Sequence, residues 1–214
     1  MVFCVAHRGA SGLECENSRR SVARALELGS DWIEVDVQAV QGELFVFHDF
    51  STERLTGVKG KLAEMTLEQV DALRLSNGET IPTLWEIVRL VGTRSKLCVE
   101  LKGPGIEQLT VKVLQDAISQ GVVAYESLMV ISFDHVQLRE VRRLDEMLPT
   151  GALLMGLPAA LAQFGEDAAV QSINLQRDFI SRELIDDAHR RGIVVQAWTV
   201  DDLAQLERLA FLGV

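Results

Sequence analysis

The sequence predicts an α/β fold: a (β/α)8 TIM barrel with a small insertion after its second strand, on three observations. Short runs rich in Val, Ile and Leu recur along the chain, as strands covered on both faces require. Segments of helical period lie between them, and repeated strand–helix units imply a parallel sheet. Glycine follows several of those segments, the expected punctuation of a helix C-terminus. A doubly wound open sheet is the alternative.

Taken in order, the first strand covers residues 3–6. A helix follows over 18–28, with Val22, Ala25, Leu26 and Leu28 apolar and Gly29 as its stop. The second strand covers 32–37. Residues 44–82 then break the rhythm: a strand-like run over 44–47, a Gly-rich loop and a short helix near 67–73, read as an insertion. The rhythm resumes with a helix over 84–91, a strand over 97–101, and a helix over 106–118 followed by Gly121. Further strands are expected over 128–132, 151–155, 172–175 and 193–198. Further helices are expected over 136–144, 158–164, 182–190 and 201–212. Seven parallel strands result, and the eighth is missing from this chain. Either the sequence is cut short, or the barrel has an open seam between strands seven and one. Residues 1–214 are expected to form one domain.

Composition narrows the function. The 214 residues are 48% hydrophobic and 24% charged, which is ordinary for a water-soluble globular chain. The formal net charge of −10 argues against nucleic acid as a partner, because phosphate backbones need clustered Lys and Arg. An anionic small-molecule substrate must then be drawn by a local positive site. Cys4, Cys15 and Cys98 are odd in number and show no disulfide or zinc spacing, so reduced thiols are expected. There is no leader-like N-terminus and no apolar run near the ~20 residues that cross a bilayer. A cytoplasmic protein is expected, without a membrane partner; the oligomeric state is left open.

The chemistry sits at strand ends. The first strand ends in His7-Arg8-Gly9, and the second carries Glu34 and Asp36. Residues two apart on a strand point the same way, so the two carboxylates share a face, with Ile33, Val35 and Val37 on the other. Paired carboxylates pointing into a barrel repel and lose hydration unless a cation joins them. Glu100 and Lys102 repeat the device on the third strand. Three such acids offer hard oxygen ligands, which suit Mg²⁺ or Ca²⁺ rather than zinc, with Mn²⁺ also possible. His7 and His48 lie at strand ends near these acids and form a natural acid–base pair near neutral pH. Arg8 and Lys102 supply fixed positive charge for an oxyanion. Together the set fits phosphoryl chemistry on a diester. His135 and His189 fall in expected helices and are read as surface residues.

The sequence resembles the glycerophosphodiester phosphodiesterase family. The likeness rests on His7-Arg8-Gly9, Glu16-Asn17-Ser18, Glu34-Val35-Asp36-Val37, His48-Asp49, Ile81-Pro82-Thr83-Leu84, Glu100-Leu101-Lys102, Ser132-Phe133 and Ala197-Trp198-Thr199. These run in family order across nearly the whole chain. The resemblance implies that Glu34, Asp36 and Glu100 hold a divalent metal and that His7 and His48 are the catalytic pair. It also implies that Arg8, Glu16 and Lys102 surround the phosphate and metal. The chain departs from the family at Cys15, at the Val40-Gln41-Gly42 turn, and in lacking the family's closing strand.

The implied activity is metal-dependent hydrolysis of glycerophosphodiesters to glycerol 3-phosphate and an alcohol, with His7 as base and His48 as acid. The nucleophile is either water or the substrate's own neighbouring hydroxyl. Phe133 and Trp198 are expected either to wall the glycerol carbons or to pack in the core. Glu16 reads as a metal or sugar-hydroxyl ligand, or as a partner of the first helix dipole. Asn17 reads as that helix's N-cap, Asp49 as an orienter of His48 or a loop cap, and Asn174 and Gln196 as inward polar residues. The rivals are a phospholipase-type phosphodiesterase on lipid or cyclic diesters, and a non-catalytic metal- or phosphate-binding barrel.

Overall fold

A computed structural model describes residues 2–214. They divide into two compact units, one of residues 3–129 and the other of residues 130–214 with Val2.

The first unit runs β1 (Val5–His7), α1 (Arg19–Glu27), β2 (Trp32–Val40), β3 (Glu43–Val46), α2 (Glu53–Thr56), α3 (Leu67–Ala72), α4 (Leu84–Val91), β4 (Lys96–Leu101) and α5 (Glu107–Ser119). Strands β1 and β4 flank β2, both parallel to it, with His7 level with Glu34 and Asp36 level with Glu100. Ile33, Val35 and Val37 are fully buried on one face of β2, and alternation therefore turns Glu34, Asp36 and Gln38 to the other. Strand β3 folds back antiparallel on β2. The two-residue turn between them has Gln41 at φ 48° and Gly42 at φ 86°, the left-handed pair that a tight hairpin needs. The insertion thus starts as a hairpin. It is held by a core of its own, in which Val40, Phe47, Leu55 and Leu62 are buried together.

Helix α1 corrects one expectation. Its N-cap is Ser18, whose side chain accepts from the Ser21 backbone N–H at 3.0 Å while the Ser21 hydroxyl accepts from Ser18 at 3.2 Å. Asn17 is not the cap. It lies one residue outside the helix in the left-handed region, at φ 56°, which points its side chain elsewhere.

The second unit contains β5 (Leu128–Ser132, whose first two residues belong to the first unit), α6 (His135–Leu144), β6 (Thr150–Leu154), α7 (Gln163–Asp167), β7 (Ser172–Gln176), α8 (Arg182–Arg190), β8 (Val194–Trp198) and α9 (Leu203–Leu212). Strands β5 to β8 pair in sequence order, all parallel. The seven expected parallel strands are therefore all present, with ends shifted by up to three residues. The helix expected over 158–164 forms later, as α7, because Leu161 takes a left-handed φ of 49° and interrupts the run. His135 is not a plain surface residue: its Nε2 lies 3.0 Å from the Leu153 carbonyl oxygen, and its ring stacks on Phe164. No described helix is long and apolar enough to cross a membrane.

Candidate active site

Strand pairing brings the acids together. Glu34, Asp36 and Glu100 each offer a carboxylate oxygen within 4.8 Å of the others, and all three are buried. Glu34 accepts a hydrogen bond from the Arg8 backbone N–H at 2.9 Å through Oε2. Its Oε1 is buried and has no hydrogen-bond partner among the described residues. A buried, unsatisfied carboxylate oxygen is costly unless a cation takes it up. Burial, then the charges of Asp36 and Glu100, push the Glu34 carboxyl well above the usual carboxylate range. Glu100 is pushed up to about 7 by burial and then Asp36, against the pull of Lys102. Buried Cys98, level with Glu34, is driven up by burial and then by the same three acids. The site thus resists holding three negative charges by itself. The donor set of three carboxylates fits a hard divalent ion.

Positive charge surrounds the acids. The Lys102 ammonium pairs with Glu100 and lies 3.3 Å from Asp36 Oδ1. Arg8 Nε lies 3.3 Å from Asp36 Oδ2, and its Nη1 donates to Glu16 Oε1 at 2.8 Å. Arg8 itself sits at φ 57°. The next residue must be glycine, because a Cβ on Gly9 would lie 2.6 Å from the Ser21 carbonyl carbon, and its own φ is 76°. Glu16 lies between two arginines. Its oxygens accept from Arg8 and from Arg54, and these bonds hold its carboxyl below the usual value against the opposing push of burial.

The histidines sit beside this cluster. His7 Nε2 lies 3.9 Å from Glu34 Oε2. Burial first, then Arg8, hold the His7 imidazole below its ordinary value, and the charge of His48 adds to this. His48 Nδ1 lies 2.7 Å from Asp49 Oδ1, so Asp49 orients the ring. The Arg54 bond, and after it the His48 bond, hold Asp49 down at about 2 against burial.

Three contributors escaped sequence reasoning. Asn17 donates to Asp36 Oδ2 at 2.8 Å and accepts from the Asp36 backbone N–H at 3.3 Å. Gln38 Nε2 donates to the carbonyls of Phe47 and Asp49 at 2.9 and 2.8 Å and so fixes the loop carrying His48. Its place two residues beyond Asp36 on the same face was a usable signal. Arg54, within the insertion, bonds both Asp49 and Glu16; nothing in the sequence flagged it. In the second unit Phe133 and Trp198 pack edge to face, 5.7 Å between ring centres, with Phe133 48% exposed. Asn174 is buried and pairs with Ser172. The chemistry-bearing residues His7, Arg8, Glu16, Glu34, Asp36, His48, Glu100 and Lys102 all belong to the first unit.

Comparison with known proteins places the chain in a broader set. A sequence model described as the Glycerophosphoryl diester phosphodiesterase family matches residues 7–214. A glycerophosphodiester phosphodiesterase of Caldanaerobacter subterraneus is 33% identical over 227 residues, covering 98% of this chain and 90% of that one. One of Bacillus subtilis is 28% identical over 241 residues, covering 100% and 81%. An Oleispira antarctica phosphodiesterase, solved with the product sn-glycerol-3-phosphate, superposes with a TM-score of 0.91 at 25% identity over 100% of this chain and 91% of that one. A Thermotoga maritima glycerophosphodiester phosphodiesterase superposes with a TM-score of 0.80 at 22% identity, over 99% and 92%.

Proposed function

The chain belongs to the glycerophosphoryl diester phosphodiesterase family, whose members are phosphoric diester hydrolases, and from that premise we propose how its own residues act. It hydrolyses glycerophosphodiesters to glycerol 3-phosphate and an alcohol, by histidine acid–base chemistry beside a divalent cation. The observation that carries the reading is the buried Glu34 Oε1, which lacks a donor among the described residues, within a trio of carboxylates next to His7. The product bound by the Oleispira relative supports the same substrate class.

A Mg²⁺, Ca²⁺ or Mn²⁺ ion held by Glu34, Asp36 and Glu100 would supply positive charge against phosphate and hydroxyl oxygens. Arg8 binds phosphate oxygens with its guanidinium, and Lys102 adds a point charge. Glu16 serves the phosphate pocket through its bond to Arg8. His7, whose proton affinity is lowered by burial and then by Arg8, takes the proton of the attacking hydroxyl, that of water or of the substrate's own glycerol, as its oxygen bonds to phosphorus. The P–O bond to the alcohol breaks in exchange, and His48 protonates the departing alkoxide; where the glycerol hydroxyl attacks, water then opens the cyclic phosphate to glycerol 3-phosphate. His48 Nδ1 is tied to Asp49, so Nε2 is the nitrogen that delivers the proton. The chain acts as one domain: the family match over 7–214 crosses both compact units. The free thiols of Cys4, Cys15 and Cys98 suit the reducing setting of a cytoplasmic protein.

The test is release of glycerol 3-phosphate from glycerophosphocholine with and without chelator. The reading expects activity that chelation abolishes and added divalent cation restores. Chelator-resistant turnover, or turnover of lysophospholipid alone, would contradict it.

A further inference from the structure

We infer that Arg54 is a positioning residue that sets His48 and Arg8 at once, an assignment that rests on the function proposed above. The side chain leaves the short helix α2, whose Leu55 is anchored in the insertion's core. Its three nitrogens are all engaged. Nε donates to Asp49 Oδ2 at 2.6 Å, while Nη1 and Nη2 donate to the two oxygens of Glu16 at 2.9 and 2.7 Å.

Each carboxylate passes the constraint on. Asp49 holds His48 Nδ1 at 2.7 Å, which fixes both the ring plane and the nitrogen left for the substrate. Glu16 holds Arg8 Nη1 at 2.8 Å, and Arg8 Nε in turn faces Asp36 at 3.3 Å. Charges alternate along this second arm: Arg54, Glu16, Arg8, Asp36. One guanidinium therefore joins the proton donor to the phosphate-binding arm, although the insertion and the first loop are 38 residues apart in sequence.

The geometry needs arginine. A planar fork can take two oxygens of one carboxylate while its Nε serves another, whereas an ammonium acts as a single point of charge. The Arg54 side chain is also 49% exposed, and ion pairs this open contribute little to stability. Its arrangement is therefore suited to placement more than to holding the fold.

The inference separates two arms that kinetics can resolve. The Asp49 arm acts on proton transfer and should appear in kcat. The Glu16 arm acts on phosphate binding and should appear in KM. Arg54→Gln should lower kcat by about 10–100-fold, in the range found when residues that orient a site are lost, and should raise KM as well. Asp49→Asn should lower kcat alone, and Glu16→Gln should mainly raise KM. Arg54→Lys, which keeps charge and stem, should recover only one arm.

The deciding experiment measures kcat and KM on glycerophosphocholine for Arg54→Gln, Asp49→Asn, their double variant and His48→Ala, with thermal midpoints alongside. The expected result is a double variant whose kcat is no lower than that of the worse single variant, because both changes break the same link. Midpoints should stay near that of the parent. Should Arg54→Gln fail to fold, Arg54→Lys with Asp49→Asn carries the same comparison. Fully multiplicative losses, or a normal Arg54→Gln beside an inactive His48→Ala, would overturn the positioning role alone. An active His48→Ala would instead overturn the acid–base reading on which it rests.

Discussion

Strands β2 and β7 follow the same pattern and end in different chemistry. Each alternates buried apolar residues with buried polar ones: Ile33, Val35 and Val37 against Glu34, Asp36 and Gln38 in β2, and Ile173 and Leu175 against Ser172 and Asn174 in β7. In β7 the polar pair is neutral and satisfies itself. Asn174 and Ser172 bond each other at 3.2 Å, in space left by Gly151, where a Cβ would lie 2.3 Å from the Ser172 hydroxyl. In β2 the polar residues include two carboxylates, joined by Glu100, with an oxygen that no donor reaches among the described residues. Inward polar alternation is thus a feature that folding alone can satisfy. Uncompensated buried charge is the feature that points to a ligand.

The largest effect that should sharpen this contrast is on turnover. His7→Ala and His48→Ala should each lower kcat by about 10²–10⁴-fold, read as glycerol 3-phosphate release, while divalent-cation affinity stays nearly intact. Near-normal rates in both would remove the acid–base assignment.

The next effect makes β7 imitate β2. Asn174→Asp places a charge beside the neutral Ser172 hydroxyl, and should destabilise the chain by about 3–5 kcal/mol at neutral pH, measured by urea unfolding. Glu34→Gln is the converse. It should leave the cation-free chain as stable as before or more so, and abolish its stabilisation by divalent cation. If both substitutions behaved alike, the two strands would not differ in the way argued.

A smaller effect concerns pH. The folded-state value of Glu100, about 7, lies above its ordinary 4.5. Between these values the folded state holds more protons than the unfolded one, so this contribution is greatest below 4.5 and is lost as pH rises through about 7. Glu34 shifts the same way. The cation-free chain should therefore lose thermal stability over that window, and the shift produced by added Mg²⁺ or Ca²⁺ should grow with pH. A cation-induced shift that is flat with pH would count against proton-holding acids.

The smallest expected effect is at Asn17. Removing its bond to the Asp36 carboxylate by Asn17→Ala should cost about 1.5–3 kcal/mol, again by urea unfolding. A cost near zero would mean that Asp36 does not depend on it.

These contributions differ in how far the sequence reveals them. The parallel strands and most helices were legible because apolar runs and amphipathic periods are local signals. The acid trio was legible because strand alternation sets the facing of Glu34 and Asp36, and the next strand repeats it at Glu100. The helix expected over 158–164 misled because its pattern is helical while Leu161 adopts a left-handed turn. Asn17 misled because Asn and Ser make equally good caps on paper. A backbone φ of 56° decides between them, freeing Ser18 to cap and sending Asn17 to Asp36. Arg54 was invisible for a different reason: its role depends on how the insertion folds back onto the first loop, which no local pattern encodes.

The most direct test of the acid trio as a cation site is calorimetric titration of the cation-free chain with Mg²⁺, Ca²⁺ or Mn²⁺ near pH 7, in two buffers of different ionisation heat. Binding should release protons, because burial and the neighbouring acids favour the protonated carboxyls of Glu34 and Glu100 in the cation-free state. Both the binding and the proton release should vanish in Glu34→Gln. No binding at millimolar cation, or unchanged binding in Glu34→Gln, would contradict the account.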